Sequence, residues 1–367
     1  MDLALVDHHC HAVARGTLTR PEFEAFLTES DRPPPDGCSA FDSLLGVAVR
    51  RWCGPVLDLE AGAEPDAYIR RRAELGGEGA NRRLLTAAHL DALLIDTGLD
   101  SDPLLASNEL GRLAGSRAYE VVRLESVAED VAARGTGSGD FAAVFSAELH
   151  RRAAGAVAIK SVVAYRHGLN FDPGRPSLAE VARAASGWLA RGRGRLEDPV
   201  LLRHLLWEGV DTGLPLQLHT GFGDPDLDLH RCDPSLLTRF LRACADAGPP
   251  VLLLHCYPYH RQAAYLANVY PHVYLDIGLA VPHVGHRAPT ILAEALELAP
   301  FHKLLFSSDA YGLAELYHVA ATVFRAALTE VLDPLGLAAA ERTRIAGMIS
   351  TGNASRVYQL PGTAADS

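Results

Sequence analysis

At 367 residues, with 48% hydrophobic and 22% charged side chains, the chain can bury a sizeable core, which excludes a disordered or fibrous protein. Its net charge of −11, with no long basic block, argues against nucleic acid or an anionic membrane surface as partner and leaves small molecules. The longest apolar runs, such as 251–254, fall far short of the ~20 residues of a spanning helix, and no charged-then-apolar leader precedes Leu3; a cytoplasmic protein with no membrane partner is expected, its homo-oligomeric state left open.

The first apolar run, 3–6, leads into Asp7-His8-His9-Cys10-His11. Successive strand side chains point to opposite faces, so His9 and His11 are expected on one side, with His8 and Cys10 on the other. A His-x-His pair offers two neutral imidazoles to one cation, zinc or a transition-series neighbour, with the remaining ligands drawn from elsewhere. The segment 15–80 contains Pro33-Pro-Pro35, Gly76-Gly77 and helical patterning around 41–52. It is expected to be a helical insertion or lid, since barrel enzymes elaborate the loops after their strands. The six cysteines lack C-x-x-C spacing and are expected to be buried free thiols.

From about residue 84, short apolar runs recur at 90–95, 119–124, 156–164, 214–218, 250–254, 272–277 and 303–307. With 3–6 they make eight. Helical periodicity fills most of the intervals, as at 176–210, 234–247 and 288–298, which is the alternation of parallel βα units. Eight such units predict a (β/α)8 TIM barrel, one domain over 1–360 with a disordered tail at 361–367. An open doubly wound sheet is the alternative, but no Gly-rich phosphate loop opens a helix after any of the runs.

Barrel active sites lie at the C-terminal ends of the strands. Here the first run closes with His9 and His11, the fifth with His219, the sixth with His255 and the eighth with Asp309. A lone buried histidine is more often a satisfied core residue than a ligand. Four converging with a carboxylate are what a divalent metal with N/O ligands requires.

Through His9-x-His11, Lys160, His219, His255 and Asp309, in that order, the chain resembles the amidohydrolase superfamily of metal-dependent TIM-barrel hydrolases. Val122-Arg-Leu-Glu125, Lys160-Ser-Val-Val-Ala-Tyr-Arg166, His219-Thr-Gly-Phe-Gly-Asp224, His255-Cys-Tyr-Pro258 and Ser307-Ser-Asp-Ala310 are similar to the branch found fused to glutamine-synthetase-like domains. The chain ends shortly after Tyr358, so that fusion partner is expected to be missing. The resemblance implies a metal site of His9, His11, His219, His255 and Asp309 that holds one or two divalent ions, zinc or another transition metal. In binuclear members a strand-four lysine is carboxylated by CO₂ and bridges the ions, which needs a neutral, desolvated amine. Lys160 is the candidate. Its apolar run continues to Tyr165, which could set it deeper in the barrel; Glu125 is the rival bridge, and Lys160 could instead be a buried lysine paired with Glu125 or Asp309.

Arg123, Tyr165, Arg166 and Asp224 close or follow strands three to five, where substrate-orienting groups belong. A guanidinium fork suits a substrate carboxylate, although each of these residues singly suits a plain ion pair as well. His283 and His286, after strand seven, either reach the mouth or are merely solvated. The expected reaction is hydrolysis of an amide or related C–N bond of a small carboxylate-bearing molecule, γ-glutamyl amides by resemblance, with Asp309 as catalytic base. Metal-dependent decarboxylation of an aromatic or enoic acid is the first alternative, and a non-catalytic barrel scaffold the second.

Overall fold

The structure is a computed structural model that describes residues 3–99, 104–192, 194–245 and 248–361. Apart from Pro361, the expected tail at 361–367 lies outside the described residues. Seven strands form one sheet in chain order: β1 (Leu5–Cys10), β2 (Leu90–Asp96), β3 (Arg117–Arg123), β4 (Ala158–Ser161), β5 (Leu216–Thr220), β6 (Val251–His255) and β7 (Val273–Leu275). Every neighbouring pair is parallel. Parallel neighbours need crossover connections, and helices covering the outer face leave the strands buried on both sides. That is why β5 and β6 bury every residue, β6 reading as an apolar run closed by His255 and β5 burying Gln217 and His219 among its leucines.

The expected eighth strand, 303–307, is not one among the described residues; it makes a single bridge, Leu275 to Leu304. Its backbone nevertheless bonds to both edges of the sheet, with Leu305 N donating to Leu275 O (3.0 Å) and Phe306 O accepting from His8 N (3.1 Å). The ladder stops because the Ser308 N–H and hydroxyl both donate to the buried Asp7 carboxylate rather than to a neighbouring strand. Among the described residues the expected eight strands are thus seven, with an irregular segment between β7 and β1. The fourth run is also shorter than expected. β4 ends at Ser161, and Val163–Arg166 is helical. Glu125 takes the Val162 N–H (3.1 Å) and the Ser161 hydroxyl (2.6 Å), which removes the donor that would extend the strand. Lys160 therefore lies one residue from the strand end.

Between β1 and β2 run the helices Arg20–Ala25, Leu44–Ala48 and Pro65–Ala87, with a π-turn at Val49–Cys53. Phe23, Phe41 and Tyr68 pack as a fully buried aromatic cluster beneath them. The Pro65–Ala87 helix breaks at Gly76 (φ 72°), and Gly77 lets its backbone approach Arg15, whose carbonyl would lie 2.5 Å from a Cβ there. At the other end of the chain the helix Asn353–Tyr358 joins an inner core of Val6, Leu94, Val121, Ala158, Leu252 and Leu305, contributed by several strands. No helix among the described residues is long and apolar enough to cross a membrane.

Candidate metal centre

Alternation along the strands carries the last inward residues toward the C-terminal end of the sheet: Asp96 on β2, Arg123 on β3, Lys160 on β4 and His219 on β5, while His255 follows the inward Leu254 on β6 and reaches the site through its positive φ. β1 departs from alternation. Its register against β2 shifts between Asp7 and Cys10, so His8 does not point away from His9 as expected. Both rings enter the barrel: His8 meets Tyr358 and Asp276, and His9 meets Gln217 and Asp309.

Asp309 gathers the imidazoles. Its Oδ1 lies 3.1 Å from His9 Nε2 and 3.3 Å from His11 Nε2, and its Oδ2 lies 3.4 Å from His255 Nε2. Lys160 Nζ is 3.2 Å from His9 Nε2. The His219 ring stands 4.7 Å from that of His255 and 4.4 Å from that of Tyr165. His255, Cys256 and Asp309 are three of the six non-glycine residues with positive φ among the described residues, at 67°, 57° and 51°. Such conformations cost free energy, and they persist where the surroundings force them, as at ligand sites. Here the Asp309 N–H is fixed by His9 O (3.1 Å) and the His255 N–H by Asp276 Oδ1 (2.8 Å).

The electrostatics of the cluster favour uncharged imidazoles around an anion. Burial, with Lys160 nearby, pulls His9 down to about 3, and burial with His255 holds His219 well below the ordinary histidine range. Burial alone would raise Asp309, but the neighbouring His255, His11 and His9 outweigh it and hold the carboxyl well below its usual range. Burial lowers the Lys160 ammonium to about 8, so a sizeable neutral fraction exists near that pH. The result is several nitrogen lone pairs and a carboxylate packed together out of water. His219 Nε2 and Asp309 Oδ1 are buried without a hydrogen-bond partner. Buried polar atoms left without a partner are unfavourable, and a bound cation would supply one. Two subsets have ligand atoms within 4.8 Å of one another, His9 with His255 and Asp309, and His9 with His11 and Asp96. This N/O donor set fits a divalent transition metal.

A cavity of about 540 Å³ opens over the cluster, lined by His11, Lys160, His219, His255 and Asp309 on its floor. Arg123, Tyr165, Arg166 and Asp224 line it too. Each has other engagements. Arg123 donates to Asp96 Oδ2 through Nε (3.1 Å) and Nη2 (2.7 Å), and Arg166 Nη1 donates to Glu129 (2.8 Å). Asp224 is raised by burial. Glu125 does not line the cavity, its Oε1 being taken by Ser161 and Val162. His283 lines the mouth 3.6 Å from Glu29, whereas His286 does not reach it.

Sequence reasoning missed Asp96, Asp276 and Gln217. Asp96 sits one residue beyond the run 90–95 and Asp276 within 272–277, so reading every inward position at a run's end, polar or not, would have found both. Gln217 lies two residues before His219 on the same face of β5, a signal available from alternation alone.

The sequence model of the amidohydrolase family matches residues 6–360. Protein fluG of Emericella nidulans is 30% identical over 370 aligned residues, covering 89% of this chain but 42% of fluG, so the chain spans less than half the length of that relative. Among solved structures, one described as a metal-dependent hydrolase from Lactobacillus casei is 30% identical, with a TM-score of 0.85 over 98% of this chain and 96% of its own. A uronate isomerase from Bacillus halodurans shares the fold at 14% identity and a TM-score of 0.65, covering 97% of this chain and 93% of its own.

Proposed function

This chain belongs to the amidohydrolase family, and from that premise we propose a zinc-type hydrolase that cleaves an amide or related C–N bond of a small carboxylate-bearing substrate. The observation that carries the reading is the pair of buried atoms without a hydrogen-bond partner, His219 Nε2 and Asp309 Oδ1, at the floor of an open cavity. His9, His11, His219, His255 and Asp309 would hold the cation. A divalent ion there supplies Lewis acidity and lowers the pKa of a water from about 15.7 toward about 7.

The chain's own groups supply the rest. Asp309, ionised at any working pH, orients the attacking water through a carboxylate oxygen and takes its proton, then returns it to the leaving amine. Arg123 and Arg166 line the cavity and keep N–H groups beyond those bonded to Asp96 and Glu129, which would serve as anchors for a substrate carboxylate. Tyr165, packed on His219, and Asp224 set the width of the cavity and its polarity toward the mouth. Lys160, with its ammonium lowered to about 8, is the residue for CO₂ capture if two ions are held; Glu125, occupied at the end of β4, is the weaker bridge. Residues 15–80 act as a cap on the single barrel domain, since Phe26, Glu29 and Asp31 reach the cavity. γ-Glutamyl amides are the substrate class to test first, on the strength of the motif resemblance.

The test is amine release from a panel of γ-glutamyl amides and N-acyl amino acids, with the metal removed and restored. Metal-dependent amine release supports the reading. Release of CO₂ from aromatic or enoic acids without amide cleavage would replace it.

A further inference from the structure

Beneath the candidate ligands lies a chain of buried hydrogen bonds whose directions follow from a single carbonyl. Gln217 Nε2 is 2.7 Å from the main-chain oxygen of His8 and 2.8 Å from the Tyr358 hydroxyl. A carbonyl oxygen only accepts, so the NH₂ end of the amide must face His8 and its oxygen must face the other way. That oxygen, Oε1, is 2.8 Å from His9 Nδ1. An amide oxygen also only accepts, so His9 Nδ1 must carry the ring proton. The neutral ring has one proton, and Nε2 is left as a bare lone pair aimed at Asp309 and Lys160. The network runs onward: the Tyr358 hydroxyl also lies 2.8 Å from His8 Nδ1, and His8 Nε2 lies 2.9 Å from Asp276 Oδ2. Asp276 Oδ1 in turn accepts the His255 N–H (2.8 Å) and the Gly278 N–H (2.7 Å).

We infer that Gln217, clamped by the His8 carbonyl and the Tyr358 hydroxyl, is a positioning residue that locks His9 in the Nδ1–H tautomer and so presents Nε2 to the metal. Partners of this kind on a ligating histidine fix its tautomer and orientation, and losing one typically lowers metal affinity by about 10–100-fold. The clamp also ties the metal centre to the far end of the sequence, because Tyr358 belongs to the helix Asn353–Tyr358. The inference rests on the metal-centre reading above.

The experiment uses the full chain and zinc alone as probe. Zinc affinity is measured by chelator competition for wild type, Gln217→Leu, Gln217→Glu and His9→Ala, and the tautomer of His9 is read by ¹⁵N NMR of the metal-free wild type, its signals identified by their loss in His9→Ala. The expected results are a protonated Nδ1, a loss of about 10–100-fold in Gln217→Leu, where the acceptor is gone, and a change of a few-fold at most in Gln217→Glu, where it is kept. Wild-type affinity in Gln217→Leu, or a proton on Nε2, overturns the inference. If Gln217→Leu does not fold, the wild-type NMR decides alone. Failure of the metal reading looks different: His9→Ala then binds zinc as wild type does.

Discussion

The cluster around Asp309 and the cluster around Arg72 are both buried and both ionic, yet they are built on opposite principles. Arg72, on the helix Pro65–Ala87, donates to Glu315 Oε1 at 2.8 Å, and Tyr68 donates to the same oxygen at 3.1 Å. Asn81 accepts from Arg72 (3.1 Å) and donates to Ala14 O (2.8 Å). One cation meets one anion there, and although Arg72 Nη1 and Glu315 Oε2 lack partners, the charges cancel within the protein. Neither Arg72 nor Glu315 lines the cavity over the Asp309 cluster. Around Asp309 acceptors predominate, several imidazoles and a carboxylate beside an open cavity with the Lys160 amine among them. A fold that needed only stability would choose the first arrangement, because it compensates buried charge without outside help. On the proposed reading, the second is completed by a cation from solution. Burial and polarity alone therefore do not mark a functional site; a donor set that lacks its own counterpart does.

Breaking each cluster should separate these roles, and the largest effect is expected at Asp309. Asn keeps the shape and a carbonyl oxygen but cannot take a proton, so Asp309→Asn should lower kcat by at least ~10²-fold on metal-replete, folded enzyme. Steady-state kinetics check this, and activity within a few-fold of wild type would remove Asp309 as the base. Next is Arg72→Met, which leaves Glu315 buried and uncompensated; denaturant titration should show a loss of about 3–5 kcal/mol, with metal content per folded chain unchanged. A parallel loss of metal would mean that the two clusters are not independent. The smallest effect is expected at Arg166, which is already paired with Glu129 and lies at the cavity wall. Arg166→Met should raise KM for free-acid substrates more than for their amidated analogues while leaving the metal in place. An equal response from both kinds of substrate would end the proposed carboxylate role.

Much of this contrast was legible in the sequence, for identifiable reasons. Strand ends are marked by where an apolar run stops, so His219, His255 and Asp309 could be located from pattern alone, and the structure puts them around one cavity. The run 303–307 looked like a strand because composition reports burial, while strand pairing depends on where each N–H goes, and the Ser308 N–H goes to Asp7. The inward turn of His8 was hidden for a similar reason: a register shift obeys no period. The Arg72–Glu315 pair spans 243 positions, and no local pattern announces a partner so distant. Tyr358, 350 positions from His8, was illegible in the same way.

The central claim, that the Asp309 cluster is completed by a cation and the Arg72 cluster is not, is tested most directly by elemental analysis of purified wild type, His255→Ala and Arg72→Met, all confirmed as folded. The account predicts at least one divalent ion per chain in wild type and in Arg72→Met, and close to none in His255→Ala, where one imidazole of the set is gone. Equal metal content in wild type and His255→Ala, or none in wild type after growth and purification with divalent metals supplied, would contradict it.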